Sequence, residues 1–251
     1  MYLPSWCGDS DGSYAWEESK NQTWLGSCVS PDYLPVRDEV VLVPYRSNLD
    51  RGRLADSERK RDDHPIVLDL RAAEARHAAK EHKFPVKFID ELYDSANPAN
   101  LAFHPALVLI PYQVSTMSLF EFYRMNVPIF APSLALLREW HTNYDQMWEI
   151  HYGWPARHAD LAGPPDMPDP RASDYSAASF DFWVGKSDFY TMPHITTFDS
   201  WDNLLVQLET ADLDEISAAM RAENERVRES LVAQWAGIRA GFFSERGKSK
   251  S

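Results

Sequence analysis

The sequence predicts an α/β protein with one open, mostly parallel, Rossmann-like sheet followed by C-terminal helices. Short apolar runs rich in β-branched residues alternate with segments in which apolar residues recur at helical spacing. Continuous apolar runs are typical of parallel strands, because helices cover both faces of such a sheet. In addition, residues 106–133 predict strand, polar turn, short helix and strand in about the least space that a βαβ unit needs.

The elements that precede this unit are predicted from the distribution of apolar and charged residues. Val40–Tyr45 is an apolar, β-branched run between charged neighbours and predicts a buried strand. Residues 50–63 are strongly charged and predict a solvated loop or an exposed helix. Helical spacing over Pro65–Lys80 predicts a helix, and Phe84–Ile89 predicts a second strand. Pro98–His104 predicts a short helix that leads into the third strand.

The unit itself contains Leu107–Tyr112 as the third strand, Met117–Met125 as its helix and Val127–Ala131 as the fourth strand. Ser133 is expected to cap a helix that continues to Trp148, since serine is a preferred N-cap residue. The alternation of strands and helices therefore continues through this part of the chain.

Three further segments complete the prediction. Residues 153–174 are rich in proline, aspartate and glycine and predict a loop or insertion, the best candidate for disorder. Trp201–Leu208 and Leu213–Phe243 have apolar residues close to the helical period and predict two C-terminal helices. We expect residues 1–37 to form a loop or the remnant of a missing N-terminal domain, and residues 38–251 to form one domain.

Charge and composition exclude several classes of function. The net charge is −13, and basic residues cluster only at Arg59–Arg61 and Lys248–Lys250. Binding to nucleic acid or to anionic membranes is therefore not expected, although a basic pocket for one phosphorylated ligand stays open. Cys7 and Cys28 are either a pair or two free thiols, and no Cys/His spacing suggests zinc.

The same composition sets the expectation for the compartment. No signal-peptide pattern opens the chain, and no run of about 18 apolar residues would span a membrane. The chain taken by itself is expected in the cytoplasm, and in the Golgi or endoplasmic reticulum if it is a fragment of a longer protein.

The polar turn Tyr112–Ser118 is the best candidate for a binding site. It follows the third strand and opens a helix, and open α/β sheets bind ligands at the carboxyl ends of their strands. The hydroxyls of Ser115, Thr116 and Ser118, together with free N–H groups of the helix start, suit an anion. The alternative is that one hydroxyl is simply the N-cap, and both roles are compatible, because an anion would dock at the cap position. Glu121 would accept hydrogen bonds from a ribose diol, or it is a solvated glutamate favoured by the helix dipole.

This unit resembles the donor-binding, C-terminal domain of GT-B glycosyltransferases. In that family a glutamate of the donor-site helix holds the ribose, and a proline seven residues later opens the next strand, as Glu121 and Pro128 do here. Ser115, Thr116 and Ser118 stand where the family has small polar residues near the diphosphate. The segment 198–205, followed by a long helix, is similar to the family's closing segment.

The sequence also departs from the family pattern. Retaining members often have a second glutamate eight positions before the first, and here that position is Gln113, which we still count among the donor-binding residues. Asn126 replaces a glycine at the helix end, where asparagine also tolerates a left-handed backbone. Only about 36 residues stand where the family has an N-terminal domain that usually binds the acceptor and often supplies the catalytic base.

Two further residues are catalytic candidates. Arg46 follows the first strand and would stabilise negative charge on a leaving diphosphate, although a surface arginine is the commoner case. His104 precedes the third strand and is a candidate general base, although no carboxylate partner stands at a fixed spacing.

The resemblance implies a glycosyltransferase, or its donor-binding half, that transfers sugar from a nucleotide-diphosphate sugar to an unidentified acceptor. No metal and no cofactor beyond the donor substrate is expected, because a helix dipole and basic groups can fill the metal's role. A missing N-terminal domain or a partner chain is a possible partner. The alternatives are a non-catalytic nucleotide-sugar-binding or scaffold domain, and an unrelated α/β protein.

Overall fold

A computed structural model describes residues 32–44, 63–78, 84–93, 98–114, 117–147, 168 and 177–248. They form a five-stranded, all-parallel sheet in the order β2-β1-β3-β4-β5, flanked by helices. The strands are β1 (Val40–Pro44), β2 (Val86–Phe88), β3 (Leu107–Ile110), β4 (Ile129–Pro132) and β5 (Thr196–Phe198). The helices are α1 (Pro65–His77), α2 (Ile89–Leu92), α3 (Pro98–Leu101), α4 (Met117–Arg124), α5 (Leu134–Tyr144), α6 (Ala177–Val184), α7 (Asp188–Thr191), α8 (Trp201–Thr210) and α9 (Leu213–Lys248). The predicted fold class, an α/β Rossmann-like sheet with C-terminal helices, is confirmed.

The central strands of the sheet are buried at successive positions. Val40–Val43 of β1 and all residues of β3 and β4 are inaccessible or nearly so. β1 pairs with β3 in the register Val41 to Leu107. Burial at both odd and even positions means that helices cover both faces of the sheet, which explains the continuous apolar runs in the sequence.

Several elements end earlier than predicted, among them β3, which ends at Ile110 and not at Tyr112. β2 ends at Phe88 because Ile89 begins α2, where the Glu91 carboxylate accepts a hydrogen bond from the Phe88 N–H (2.9 Å). α3 ends at Leu101. α5 ends at Tyr144 because Asp145 has a left-handed backbone (φ 57°), which stops a helix. Ser133 caps α5 as predicted, accepting from the Leu136 N–H at 3.3 Å.

The sequence prediction missed β5 and the helices α2, α6 and α7. β5 has only three residues, Thr196–Phe198, and lies at the sheet edge beside β4. α6 and α7 are also short, and α2 has four residues. Segments of this length carry too few repeats for a periodic pattern to be recognised.

The described residues directly before β1, 32–39, bond to the rest of the domain. The N–H of Tyr33 donates to the carbonyl of Met125 (2.8 Å), and that of Leu34 donates to Ala102 (2.9 Å). Asp32 forms an ion pair with Arg221 of α9. Residues 1–31, Cys7 and Cys28 among them, and residues 153–174 except Pro168 lie outside the described residues.

The strand order defines one topological switch point. From β1, the chain adds β2 on one side and then β3, β4 and β5 on the other. The crevice outside the carboxyl ends of the strands on either side of such a point is where doubly wound sheets bind ligands. In this molecule it lies between β1 and β3, and the predicted polar turn follows directly after β3.

Candidate functional site

The candidate site begins where β3 ends. Pro111 and Tyr112 follow the strand and are buried, and Gln113 and Val114 are half-buried. The Gln113 amide donates to the Tyr112 hydroxyl (2.9 Å), so the side chain of Gln113 is held along this loop. The chain is described again from Met117, where α4 begins, and Ser118 in its first turn is half-buried.

Glu121 is the feature that sets this site apart. It lies one turn into α4 and is only 7% exposed, yet no described residue donates a hydrogen bond to its carboxyl group or pairs with it. Burial alone raises its pKa to about 7, because loss of water disfavours the charged form. A buried carboxyl group without a partner, beside a switch point, is a functional-site signal.

The polar residues at the end of α4, unlike Glu121, are hydrogen-bonded to other parts of the domain. Asn126 has a left-handed backbone (φ 59°), which confirms the expected asparagine helix stop. Its amide donates to Asp32 (2.6 Å) and its carbonyl oxygen accepts from Asn224 of α9 (2.7 Å). Asn224 also donates to the Tyr123 carbonyl (2.9 Å). These bonds fix α4 against α9 and so hold the helix that carries Glu121.

α5 runs across the carboxyl edge of the sheet. At its start, the N–H of Ser133 donates to the Phe198 carbonyl at the end of β5 (2.8 Å). Beyond its end, the Gln146 amide donates to the Pro111 carbonyl after β3 (3.0 Å). Trp140 stacks on Trp201, with 5.3 Å between ring centroids, and packs near Phe198. α5 is thereby fixed at both ends to the edge where a ligand would bind.

The sequence-predicted site residues separate into three groups. Gln113, Ser118 and Glu121 all follow β3 within the same loop and helix. Arg46, Ser115 and Thr116 lie outside the described residues. His104 lies before β3, at the amino end of the sheet, and is therefore not brought together with the others.

His104 is completely buried and its ring is held on both sides. Its Nδ1 lies 2.7 Å from the Glu39 carbonyl oxygen, which only accepts, so Nδ1 carries the proton. Its Nε2 then accepts from the Tyr93 hydroxyl at 2.5 Å. Burial lowers the pKa of His104, so the ring is neutral at neutral pH.

The sequence interpretation missed the buried position of Gln146, which bonds to the loop after β3. The predicted helix extended to Trp148, which would have placed Gln146 within an ordinary helical turn. The left-handed residue Asp145 redirects the chain, and Gln146 and Met147 become fully buried. The sequence signal that was available is weak: an aspartate that ends a helix two positions before an apolar residue, Met147.

The described residues contain no cluster of three or more His, Cys, Asp or Glu side chains that would hold a metal ion. Among the helices of the described part, none has both the length and the apolar character that crossing a membrane requires. Comparison with family models, with curated proteins and with solved structures finds no match to this chain.

Proposed function

We propose that this chain binds a nucleotide-diphosphate sugar at the carboxyl end of β3 and acts as a glycosyltransferase of the GT-B type, or as its donor-binding half. The observation that carries the proposal is Glu121, buried and without a described partner on the helix that follows the switch point. A ribose diol offers two hydroxyl donors to one carboxylate. It would therefore supply the hydrogen-bond donors that no described residue gives to Glu121.

The remaining parts of the donor are assigned by chemistry and position. Ser118 and the N–H groups at the start of α4 would receive the diphosphate, with Ser115 and Thr116 of the same turn. Gln113 would contact the donor from the loop after β3. Arg46, after β1, would stabilise charge on the leaving nucleotide. In this arrangement α4 supplies both a polar end for phosphate and a carboxylate for ribose.

The pKa of Glu121 makes the proposal sensitive to pH. Hydrogen bonds from a diol favour the ionised carboxylate, so bound nucleotide lowers the pKa from its free value of about 7. Nucleotide affinity is therefore expected to rise between pH 6 and pH 8. In Glu121→Gln, which cannot ionise, this rise should disappear.

Thermal melting tests the proposal against UDP, GDP, ADP, CMP and their common sugar conjugates. A ligand that binds only the folded protein raises the midpoint by mass action. We expect a shift with one nucleotide, its loss in Glu121→Gln, and its retention in Glu215→Gln, a control that removes an exposed carboxylate from α9. A cooperative melt with no shift for any nucleotide would contradict the proposal.

A non-catalytic donor-binding domain is the second candidate. It is favoured by Gln113, which stands where a second glutamate is often found and whose amide is bonded to Tyr112. Incubation with the nucleotide sugar that binds distinguishes the two candidates. Donor hydrolysis or sugar transfer that is lost in Arg46→Ala supports an enzyme, and tight binding with no turnover supports the binding domain.

A further inference from the structure

The second half of α9 extends beyond the packed part of the domain. In the first half, Leu213, Ser217 and Met220 are buried. Asn224 then bonds to the end of α4. From residue 232 to residue 240, however, every side chain is exposed. Nine successive residues occupy all faces of a helix over about 13 Å, so no described part of the domain covers any face of this segment.

This exposed segment is apolar. Val232, Trp235 and Ile238 are each more than half exposed. Leu231, Trp235 and Ile238 recur at spacings of four and three residues and form one stripe along the helix, which we call the α9 stripe. Between Glu229 and Glu245 the sequence contains only one charged residue, which is an arginine. Such a stripe is typical of a helix that packs against another surface.

Two charged residues beside the α9 stripe are left without a partner in the described part of the chain. Arg226 and Arg228 each form an ion pair with a glutamate of the same helix. Glu229 and Arg239 are exposed, and no described residue pairs with either of them. They lie about 15 Å apart along the helix axis. Because a helix turns by about 100° per residue, both lie on the same flank of the stripe.

We propose that a second copy of this chain covers the α9 stripe, with the two helices packed antiparallel about a two-fold axis near Gln234. An antiparallel pair brings the same flank of both helices together. Glu229 then lies level with the partner's Arg239, and the two-fold axis forms this ion pair twice. In a parallel pair, each of these residues would lie level with its own copy. The charge pattern is therefore self-complementary in one orientation.

A lipid surface fits this segment less well than a second copy does. Helices that lie on a membrane have many lysines and arginines on their polar face, which attract anionic lipids. The exposed segment has one arginine, and the chain carries a net charge of −13. Electrostatic attraction to a membrane is thus weak, whereas the pairing of Glu229 with Arg239 is satisfied by the chain itself.

Sedimentation equilibrium over a range of protein concentrations tests the proposal. We expect a wild-type dimer with a Kd in roughly the micromolar range, since one pair of helices is a small interface. Ile238→Glu places a charge in the stripe and should weaken the dimer at least about a hundredfold. The matched control is Leu68→Glu on α1, because Leu68 is similarly exposed (51%, against 60% for Ile238). The control should dimerise as the wild type does.

Charge exchange tests the antiparallel orientation. Glu229→Arg sets two arginines together at both ends of the pair, and Arg239→Glu sets two glutamates together. Each variant alone should dimerise roughly tenfold more weakly than the wild type at low salt, and the difference should shrink at high salt. An equimolar mixture should regain the wild-type affinity as a heterodimer, because an arginine then faces a glutamate at both ends.

Three results would overturn the proposal. The first is a wild-type monomer at every concentration, including one that binds anionic phosphatidylserine vesicles through the stripe. The second is a dimer that Ile238→Glu leaves intact although thermal unfolding shows a folded variant. The third is wild-type affinity in both single charge variants, which is the result that a parallel pair gives. None of these results depends on nucleotide binding, so the proposed function is tested separately.

Discussion

Two buried titratable side chains flank β3, and they differ in one respect. His104, before the strand, is 0% exposed and has a hydrogen-bond partner on each ring nitrogen. Glu121, after the strand, is 7% exposed and has no described partner. Buried polar groups are normally satisfied within the protein, so the two partners of His104 indicate a structural role, whereas a buried carboxyl group without a described partner is a candidate for ligand binding. The comparison predicts that His104 stabilises the fold and that Glu121 serves the site.

The largest expected effect is on stability at His104. Replacing His104 with alanine removes the hydrogen bonds that its ring makes with the Tyr93 hydroxyl and the Glu39 carbonyl, both on half-buried residues, and leaves a cavity at a fully buried position. We expect a loss of about 2–4 kcal/mol in the free energy of unfolding, measured by urea denaturation at pH 7.5. His104→Asn, which can still donate to Glu39, should lose less. A loss below about 0.5 kcal/mol would remove the structural role.

The next effect has the opposite sign. At pH 8 the carboxyl group of Glu121, with a pKa of about 7, is mostly ionised while buried. Glu121→Gln is neutral, so we expect it to be more stable than the wild type by about 1–2 kcal/mol at pH 8. At pH 5 the wild-type group is protonated, and the gain should vanish. If Glu121→Gln and the wild type differed in stability by the same amount at pH 5 and pH 8, the carboxyl group would be solvated and its pKa would be ordinary.

The pH dependence of stability sharpens the contrast further. Glu121 has a raised pKa, so between its ordinary value of 4.5 and about 7 the folded protein holds the extra proton and is stabilised as the pH falls. His104 has a lowered pKa, so below its ordinary value of 6.5 the unfolded chain takes up the proton and stability falls with the pH.

These two contributions oppose each other between pH 5.5 and 6.5. Relative to the wild type, Glu121→Gln should lose about 1 kcal/mol more over that interval as the pH falls, because only the His104 contribution remains. His104→Asn should show the reverse slope. Parallel curves for all three proteins, recorded by urea denaturation at each pH, would rule out both assignments.

The smallest effect concerns a partnered polar residue on the helix of Glu121. Asn126→Gly keeps the left-handed backbone (φ 59°) but loses the bonds to Asp32 and Asn224. We expect a loss of about 0.5–1 kcal/mol in thermal unfolding, and about 1 kcal/mol more for Asn126→Ala, whose Cβ is strained in this conformation. If Asn126→Ala were as stable as Asn126→Gly, the left-handed backbone at this position would not contribute to stability.

The sequence predicted the parts of this fold that depend on local pattern. β1, β3, β4, α1 and α4 are continuous apolar or periodic segments, and Ser133 and Asn126 have strong preferences for the ends of helices. β5 could not be recognised, because a three-residue strand becomes a strand only through its pairing with β4.

The candidate site was predicted only in part. Glu121 could be selected from its place after the βαβ turn, but its burial depends on how α4 packs in the folded domain. The partners of His104 lie 11 and 65 positions away, so its structural role is invisible in sequence. Gln146 reaches Pro111 across 35 positions and only because Asp145 ends α5.

The most direct test of the central claim is a carbon-13 NMR titration of the Glu121 carboxyl group, with Glu121→Gln used to assign its signal. We predict a pKa near 7 in the free protein. In the protein saturated with the nucleotide that it binds, we predict a decrease of at least about one unit, since diol donors favour the ionised group. An ordinary pKa in the free protein, or a raised pKa that no bound nucleotide changes, would contradict the account.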